Sequence, residues 1–391
     1  MKYINDINLT SKRVLFRFDF NVPMDKLGNI TDDTRINAVI PTINYALDEG
    51  AKIIIISHLG RPKGEKNEQF SLAPVAKRLG RLLKRPVRFV DDCIGEKVKT
   101  AVTEMKDGDI LLLENLRFYP QEEKNDETFA QSLSMLADVY IDDAFGNAHR
   151  CHASNVAITK FMPINGAGFL IKKEMNYFKD ALDNPKRPFV AIIGGSKVSG
   201  KLEALENLIR KVDKILVGGA MAFTFLKAQG YATGKSLVED ALIEKAKEIM
   251  QTARERGVKF YLPVDCITAQ SMDAKADTLT VPMQEIKDDW TGYDIGPATV
   301  MLFEEALADA GTILWNGPLG VFEIEPFSYG TMEIAHCVGN SSAISIIGGG
   351  DTDVAINEAG ETENITFIST GGGASLELLE GKTLPAIAAL E

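Results

Sequence analysis

The sequence predicts an α/β protein with two doubly wound parallel-sheet domains, joined by a connecting helix with a hinged cleft. Three observations lead to this fold class. Short apolar runs recur along the 391 residues, each run is apolar throughout rather than at alternate positions, and polar or glycine-rich loops followed by helical patterns separate them. Continuously apolar strands are covered on both faces, as in parallel sheets with right-handed helical crossovers.

The predicted strands fall into two groups. The first half contains RVLFRF, KIIIIS, VRFV, DILLLE and DVYI, and the second contains FVAIIG, KILVG, KFYLPV, TILW, AISIIG and ITFIS. Between them lie amphipathic segments such as SLAPVAKRLGRLLK, which are typical of crossover helices. Eleven strands are too many for one eight-stranded barrel, but they suit two open, Rossmann-like sheets of about five or six strands each.

The boundary between the domains is predicted near the middle of the chain. The segment GFLIKKEMNYFKDALDNPKRP has the pattern of an amphipathic helix that ends before Pro185 and Pro188. It predicts a connecting helix over residues 169–184, between a first domain of residues 1–168 and a second of residues 185–375.

Composition excludes several classes of protein. The net charge of −12 disfavours nucleic acid as a partner, because the chain lacks the basic balance that neutralises phosphates. No apolar run approaches the roughly eighteen residues of a membrane span, and the N-terminus lacks the apolar core of a signal peptide. We therefore expect no membrane partner and a cytoplasmic location. Four scattered cysteines without a C-x-x-C pair disfavour a disulfide framework or a structural zinc site.

The loops after the first-half strands carry cationic and hydrogen-bonding residues, and ligands of open parallel sheets bind at the carboxyl ends of strands. These residues are Asp19, Asn21, His58, Arg61, Asn115, Arg117, His149 and Arg150, with Arg35 just beyond the first loop. Any one of these arginines alone is better interpreted as a solvated surface charge. Their repetition at strand ends predicts a site for a small, multiply charged anion, because guanidinium groups bind phosphate and carboxylate bidentately.

Glycines take the corresponding positions in the second half. They occur at Gly194–Gly195 and Gly218–Gly219 and in the segments WNGPLG, GGGD and TGGG. Glycine permits close approach of backbone amides to phosphate oxygens, and a helix that starts after such a loop adds its positive end. This half is predicted to hold a nucleotide. Asp351 is placed to reach magnesium carried on the nucleotide, and Lys197 and Lys201 to neutralise a phosphoryl group in transit.

Seven segments resemble the motifs of the phosphoglycerate kinase family, in the same order and over essentially the whole chain: RVLFRFDFNVP, SHLGRPKG, LLENLRF, DDAFGNAHR, GGSKVSGK, WNGPLGVFE and GGGD with STGGGASLELLEG. The resemblance implies reversible transfer of a phosphoryl group from 1,3-bisphosphoglycerate to ADP, which gives 3-phosphoglycerate and ATP in glycolysis. It also implies Mg²⁺ as cofactor, small-molecule partners only, a monomer, and a C-terminal segment, residues 376–391, that packs back on the first domain.

The resemblance implies roles for individual residues. The implied phosphoglycerate ligands are Asp19, Asn21, Arg35, His58, Arg61, Arg117 and Arg150. The implied nucleotide ligands are Lys201, Gly219, Asn316, Pro318, Glu323, Gly349, Gly350, Asp351 and Thr352, with Glu323 on the ribose hydroxyls and Asp351 on Mg²⁺. The implied catalytic residues are Arg35, Lys197, Lys201, Gly371 and Gly372.

Three residues depart from the family pattern. Ser196 stands where the family usually has alanine, Gly200 where it has aspartate, and Asp142 where it has asparagine. Gly200 creates a G-x-x-x-x-G-K spacing with Gly195, but Leu202 follows where a P-loop needs Ser or Thr, so a P-loop is disfavoured.

The sequence disfavours two other functions. A dinucleotide-dependent oxidoreductase is disfavoured because no G-x-G-x-x-G follows a strand in the required context. A nucleotide-binding regulatory protein, inactive because of Gly200, is disfavoured by the cations that remain around the transferred group.

Overall fold

Fifteen strands form three sheets in the computed structural model, which describes all residues from 1 to 391. The strands are β1 (Arg13–Arg17), β2 (Lys52–Ile56), β3 (Arg88–Val90), β4 (Ile110–Leu113), β5 (Val139–Asp142), β6 (Asn165–Ala167), β7 (Phe189–Ile193), β8 (Lys214–Val217), β9 (Lys259–Tyr261), β10 (Asp265–Ala269), β11 (Leu279–Pro282), β12 (Thr291–Ile295), β13 (Thr312–Asn316), β14 (Ile344–Gly348) and β15 (Phe367–Ile368).

Fifteen α-helices connect or flank these strands. They are α1 (Thr34–Ala38), α2 (Ile40–Asp48), α3 (Ala73–Leu83), α4 (Glu96–Thr103), α5 (Pro120–Glu123), α6 (Glu127–Ser134), α7 (Phe169–Asp183), α8 (Leu202–Leu208), α9 (Ala222–Ala228), α10 (Ile243–Glu255), α11 (Pro297–Leu307), α12 (Tyr329–Gly339), α13 (Gly350–Glu358), α14 (Gly373–Leu379) and α15 (Pro385–Ala389). None of them combines the length and the hydropathy that a membrane span requires.

The predicted α/β fold with two parallel sheets is confirmed. The first sheet has the order β3-β4-β2-β1-β5-β6 and the second the order β15-β14-β13-β7-β8-β9, and all pairs in both are parallel. The prediction missed β6, which has only three residues and contains Gly166. It also missed a separate antiparallel sheet of order β11-β10-β12.

The chain divides into two compact units, one of residues 1–176 with 383–391 and the other of residues 177–382. Each unit contains one six-stranded parallel sheet. The division falls inside α7, the helix that occupies most of the predicted connector. The last residues belong to the first unit, where the N–H of Ala386 in α15 donates to the carbonyl oxygen of Ala148 at 3.1 Å.

Alternation along β1 and the residues after it separates the core from the site. Phe16, Phe18 and Phe20 are fully buried and their rings follow one another at centroid distances of 5.4 and 5.6 Å. Successive residues of an extended segment point to opposite faces, so Arg17 and Asp19 share the other face. The aromatic side chains therefore anchor the segment in the core. The polar side chains lie on the opposite side, close to the carboxyl edge of the sheet.

Candidate functional site

The strand order of the first sheet brings the polar loops together. The central strands β4, β2, β1 and β5 are neighbours, and all four run in the same direction. Arg117 follows β4, His58 follows β2, Asp19 follows β1 and Arg150 follows β5. We call the side chains at this edge, with Arg35, the arginine edge.

Arg35 is tied to the loop after β1. It lies in the short helix α1, and its Nη1 is 3.2 Å from Oδ2 of Asp19 and 3.0 Å from the carbonyl oxygen of Asn21. Asp19 is buried, whereas the Arg35 side chain is 36% exposed. The ion pair therefore fixes one side of the guanidinium and leaves its other nitrogens accessible to an anion.

His58 is buried at the arginine edge and is held there by Arg17. Nη2 of Arg17 is 3.1 Å from Nδ1 of His58. Arginine only donates, so Nδ1 accepts and the ring proton is on Nε2. Burial, followed by the charge of Arg17, holds the pKa of His58 well below its usual value. Nδ1 also lies 3.9 Å from Oδ1 of Asp19, but a neutral ring forms no ion pair there. His58 is thus a neutral hydrogen-bond donor through Nε2.

Arg17 itself is a functional residue that sequence reasoning missed. It is fully buried, its Nε donates to Oγ of Ser154 at 2.9 Å, and Nη1 donates to the carbonyl oxygen of Phe18. Ser154 in turn donates to the buried carboxylate of Glu122 at 2.6 Å. The available signal was an arginine inside an apolar strand, since arginine is almost never fully buried unless paired.

Hydrogen bonds through Gly60 connect Asn21 and Arg117. Oδ1 of Asn21 accepts from the N–H of Gly60 at 2.8 Å, and Nη1 of Arg117 donates to the carbonyl oxygen of Gly60 at 2.9 Å. Asn115 supports the same loop, because its Oδ1 accepts from the N–H of Arg117 at 3.0 Å and its Nδ2 donates to the carbonyl oxygen of Leu59 at 2.7 Å. The predicted residues after β1, β2 and β4 are therefore parts of one hydrogen-bonded network.

Arg150 and Arg61 differ in how firmly they join this network. Arg150 is exposed, and burial, followed by the charge of Arg150, lowers the pKa of His149. Burial, followed by Arg17 and Arg117, lowers the pKa of His152 to about 3, which keeps that ring neutral. Arg61 is exposed, and its side chain forms no hydrogen bond or ion pair within the protein.

The second unit has a cavity of about 400 Å³ at the carboxyl edge of its sheet. We call it the glycine cavity; its lining comprises Gly195, Ser196, Gly219, Ala220, Leu237, Met272, Thr291, Gly292, Tyr293, Pro318, Gly320, Val321, Glu323 and Asp351. Sequence reasoning missed Leu237, Met272 and Tyr293, which come from a loop and from the antiparallel sheet. Exposed apolar side chains beside two carboxylates suit a ligand with a flat apolar part and several polar groups.

Glycine is required where three loops of this cavity pack backbone against backbone. Gly317 has φ +98°, and a Cβ there would lie 2.2 Å from the carbonyl oxygen of Gly194. Gly219 has φ +66°, and a Cβ there would lie 2.6 Å from the carbonyl oxygen of Gly195. The N–H groups of Gly195 and Gly219 donate to the carbonyl oxygens of Pro318 and Leu319, each at 2.9 Å. These glycines therefore shape the cavity, and those two amides are already hydrogen-bonded within the protein.

The start of α13 contributes both amides and a carboxylate. Gly349, with φ +98°, precedes Gly350 and Asp351 in the first turn, where backbone N–H groups lack helical partners. The hydroxyl of Thr352 is already engaged, because it accepts from the N–H of Gly317 at 2.7 Å and donates to the carbonyl oxygen of Gly348 at 3.3 Å. Thr352 thus joins α13 to the loop after β13.

Asn316, Gly371 and Gly372 differ in whether their polar groups are exposed and free of hydrogen bonds within the protein. Asn316 is buried, and its Oδ1 has no hydrogen-bond partner in the protein. The N–H of Gly371 donates to Oγ of Ser369 at 3.1 Å. Gly372 has φ +45° and open space where a side chain would stand. Of these three residues, Gly372 has open space beside it, whereas the unpartnered Oδ1 of Asn316 is buried within the protein.

The loop after β7 carries the two predicted lysines. Burial lowers the pKa of Lys201 to about 8, against the opposing charges of Asp351 and Glu380. Lys197 is exposed, and its charge is among the influences that lower the pKa of Glu239. An added Cβ at Gly200 would meet only the carbonyl oxygen of Lys197, at 3.9 Å, so a side chain fits there.

Comparison with known proteins identifies the family. The chain matches the family model described as phosphoglycerate kinase over residues 4–382. It is 59% identical to the phosphoglycerate kinase of Citrifermentans bemidjiense over 392 aligned positions, which cover 100% of this chain and 98% of that protein. Its structure is similar to that of phosphoglycerate kinase from Coxiella burnetii, with a TM-score of 0.91, 42% identity and coverage of 100% and 98%. For phosphoglycerate kinase from Pyrococcus horikoshii the values are 0.86 and 34%, with the same coverage. The chain therefore belongs to the phosphoglycerate kinase family.

Proposed function

We propose that the arginine edge binds phosphoglycerate and the glycine cavity binds the nucleotide in the phosphoglycerate kinase reaction. The reaction of this chain is transfer of a phosphoryl group between 1,3-bisphosphoglycerate and ADP, which gives 3-phosphoglycerate and ATP in glycolysis. The observation that carries the assignment of sites is the arginine edge. There the side chains of Arg35, Arg117 and Arg150 and the neutral donor His58 belong to loops that follow adjacent strands or, for Arg35, to a helix bonded to such a loop.

At the arginine edge, the two charged ends of phosphoglycerate meet several donors. The proposed ligands are Asp19, Asn21, Arg35, His58, Arg61, Arg117 and Arg150. Guanidinium groups donate in pairs to phosphate and carboxylate oxygens, and Nε2 of His58 adds a neutral donor. Asp19 acts through Arg35 and through a substrate hydroxyl, because a carboxylate repels an anion and accepts from a hydroxyl.

The proposed nucleotide ligands are Lys201, Gly219, Asn316, Pro318, Glu323, Gly349, Gly350, Asp351 and Thr352. Four of them, Gly219, Pro318, Glu323 and Asp351, line the glycine cavity. The carboxylate of Glu323 is exposed in the lining and accepts from the ribose hydroxyls. Thr352 contributes through its backbone N–H, since its hydroxyl is bonded to the protein. Asn316 ends β13 directly before the loop of Gly317 and Pro318, and its side chain is buried, so its proposed contribution comes from beneath that loop.

Asp351 is the proposed protein ligand of the Mg²⁺ that enters with the nucleotide. Its side chain is exposed at the start of α13 and lines the cavity. A single carboxylate fits this ion, because Mg²⁺ usually keeps several waters and takes its other ligands from substrate phosphates. When bound, the ion neutralises charge on the phosphate oxygens.

The chemical step needs positioning and charge neutralisation. A β-phosphate oxygen of ADP attacks the phosphorus of the acyl phosphate, the P–O bond to the acyl oxygen breaks, and a carboxylate leaves. Arg35, Lys197 and Lys201, with the backbone at Gly371 and Gly372, meet the negative charge on the transferred group. In the reverse direction the attacking carboxylate, with a pKa near roughly 3.5, is already ionised, so no general base is required.

A coupled assay of ATP formation from 1,3-bisphosphoglycerate and ADP with the purified full-length chain tests the proposal, with and without a magnesium chelator. Activity that disappears with the chelator and returns with Mg²⁺ is expected. Binding of ADP without ATP formation would instead support the regulatory alternative. The proposal includes a monomer in the cytoplasm, and analytical ultracentrifugation of the same sample tests the oligomeric state.

A further inference from the structure

The loop that carries Lys197 and Lys201 is restrained at its start but has a glycine close to its end. The N–H of Gly195 donates to the carbonyl oxygen of Pro318 at 2.9 Å, which fixes the start of the loop. Gly200 stands directly before Lys201, and an added Cβ there would meet only the carbonyl oxygen of Lys197, at 3.9 Å. Glycine loses more conformational entropy on ordering than any other residue. Within the loop, Val198 is fully buried, and the N–H of Lys201 donates to the carbonyl oxygen of Val198 at 2.8 Å.

Glu239 supplies the further restraint. Its Oε2 accepts from the N–H of Ser199 at 3.0 Å, and its Oε1 accepts from the hydroxyl of Ser199 at 2.6 Å. Burial raises the pKa of Glu239, but the hydrogen bonds from Ser199 outweigh this effect and hold that pKa below its usual value. Because the ionised carboxylate accepts one bond from the backbone of Ser199 and one from its hydroxyl, it fixes both the backbone and the side chain of Ser199. Ser199 lies between the two lysines, so this pair sets the path of the loop at its middle.

The segment that carries Glu239 also lines the glycine cavity. Leu237 is 44% exposed and forms part of the lining. Oγ of Ser236 accepts from the N–H of Gly292, another lining residue, at 2.9 Å. The N–H of Glu239 donates to Oγ1 of Thr224 in α9 at 3.1 Å. Within four residues, the chain therefore touches the cavity at one end and the lysine loop at the other.

We propose that Glu239 is a positioning residue that couples occupation of the glycine cavity to the placement of Lys197 and Lys201. This inference rests on the proposed function, since it assigns the cavity to the nucleotide and the lysines to the transferred phosphoryl group. A nucleotide packed against Leu237 restrains residues 236–239, and the carboxylate of Glu239 passes that restraint to Ser199. The two lysines are then ordered when the nucleotide is bound.

The test compares Glu239→Ala, Ser199→Ala and the double variant in steady-state kinetics. Glu239→Ala removes both bonds and is expected to lower kcat about tenfold, the lower end of the effect of losing bonds to a charged group, with a smaller change in the KM for phosphoglycerate. Ser199→Ala removes only the hydroxyl bond and keeps the backbone N–H bond, so a smaller decrease in kcat is expected. The double variant is expected to match Glu239→Ala, because that substitution already removes both bonds. Glu239→Gln keeps one acceptor oxygen for the N–H of Ser199, and its NH2 group can donate to the Ser199 hydroxyl, which also accepts, so this variant is expected to recover most of the activity. Glu244→Ala in α10, which loses only an exposed pair with Lys247, is the matched control.

A second measurement reads the coupling without catalysis. Hydrogen exchange of the amides of residues 196–200 is expected to slow when ADP binds to the wild type, and to respond much less in Glu239→Ala at saturating ADP. Equal slowing in both would overturn the coupling, as would single variants that turn over like Glu244→Ala.

Lys201→Ala separates failure of this inference from failure of the proposed function. If Lys201→Ala is inactive while Glu239→Ala is fully active, only the coupling is wrong. If Lys201→Ala is fully active, the role of the lysine in the proposed function is wrong, and the coupling has no catalytic consequence.

Discussion

The two parallel sheets carry sites of opposite construction at corresponding edges. At the arginine edge, side chains form the site and other side chains hold them, as Arg17 holds His58 and Asp19 holds Arg35. In the glycine cavity, the backbone forms much of the wall, and the loops hold one another through bonds such as Gly195 to Pro318 and Gly219 to Leu319.

The difference fits the ligands that we propose for the two sites. A small anion with two charged ends offers little surface, so charge and hydrogen-bond geometry must supply selectivity through side chains. A nucleotide is large and partly apolar, so a cavity of suitable shape supplies much of its binding. We therefore expect substitutions at the arginine edge to act on charge and rate, and those in the glycine cavity to act on shape, stability and nucleotide affinity.

Arg35→Ala tests the charge side of this comparison and has the largest expected effect. We expect kcat to fall about a hundredfold or more with nearly unchanged nucleotide affinity, because the charge of Arg35 acts mainly on the transition state. Steady-state kinetics and calorimetry with ADP measure the two quantities. Arg88→Ala, which loses an exposed pair with Glu104, controls for net charge. A raised KM for phosphoglycerate with unchanged kcat would make Arg35 a binding residue only.

Gly317→Ala tests the shape side. A Cβ would clash with the carbonyl oxygen of Gly194 at 2.2 Å and would also impose a strained φ of +98°. We expect a loss of about 2 to 4 kcal/mol in the free energy of unfolding, from overpacking and strain together. Gly230→Ala is the matched control, because its φ of +92° is similar and nothing lies within 4 Å, so only strain of about 1 kcal/mol applies. Equal losses in chemical denaturation of the two variants would refute the close-packing role of Gly317.

The same difference explains how far the sequence could be interpreted. The two sheets were predictable because both faces of their strands are buried and their apolar runs are therefore continuous. The antiparallel sheet was not, since β11 is largely exposed and its four residues, LTVP, are too few for a periodic pattern to be recognised. At the arginine edge, side chains such as Arg117 and His58 could be read directly from their positions after apolar runs.

The residues that sequence reasoning missed share a cause, which is tertiary placement. Arg17 lies inside an apolar strand, which was a signal that it is paired, but its partner His58 is identified only by the packing of the two strands. Leu237 and Met272 join the cavity from segments distant in sequence, and an isolated apolar residue in a loop predicts nothing about its neighbours. The engagement of the Thr352 hydroxyl with Gly317 likewise depends on packing between two loops.

Glu323→Ala asks whether the glycine cavity also depends on a side chain. We expect ADP and ATP to bind about 1 to 3 kcal/mol more weakly, because charge-assisted hydrogen bonds to the ribose are lost, with little effect on phosphoglycerate. Isothermal titration calorimetry with each ligand measures this. Glu325→Ala, two residues beyond and outside the lining, is the control. Unchanged nucleotide affinity would show that the ribose lies elsewhere.

The pH dependence of Lys201 gives a smaller effect of charge within the cavity. Its pKa of about 8 is below the ordinary 10.5, so the free enzyme loses this charge as the pH rises through 8. We expect kcat/KM for ADP to fall about tenfold per pH unit above that value. Between pH 8 and 10.5 the unfolded chain holds the proton more tightly, so the contribution of this group to stability rises while activity falls. Lys201→Arg stays charged and is therefore expected to show no decrease of kcat/KM above pH 8. A decrease at the same pH in that variant would show that another group causes it.

Gly200→Asp has the smallest expected effect. It tests how much one added carboxylate in the loop of Lys197 and Lys201 changes the Mg²⁺ requirement and the turnover. The added Cβ meets only a carbonyl oxygen at 3.9 Å, so the side chain fits without repacking. An aspartate there acts indirectly, by orienting Lys201 or supporting the outer shell of the metal, and outer-shell losses cost about 10- to 100-fold in metal affinity or activity. Glycine also loosens the turn before Lys201, at a cost of about 0.5 to 1 kcal/mol.

We expect the wild type to be active, and the variant to need less Mg²⁺ for half-saturation with turnover changed less than tenfold. Gly200→Ala, which stiffens the backbone without adding charge, separates the two contributions in a Mg²⁺ titration of the rate. A wild type that folds and binds ADP but is inactive, and that Gly200→Asp activates, would favour the regulatory alternative, because the three cations proposed for the transferred group would then be insufficient by themselves.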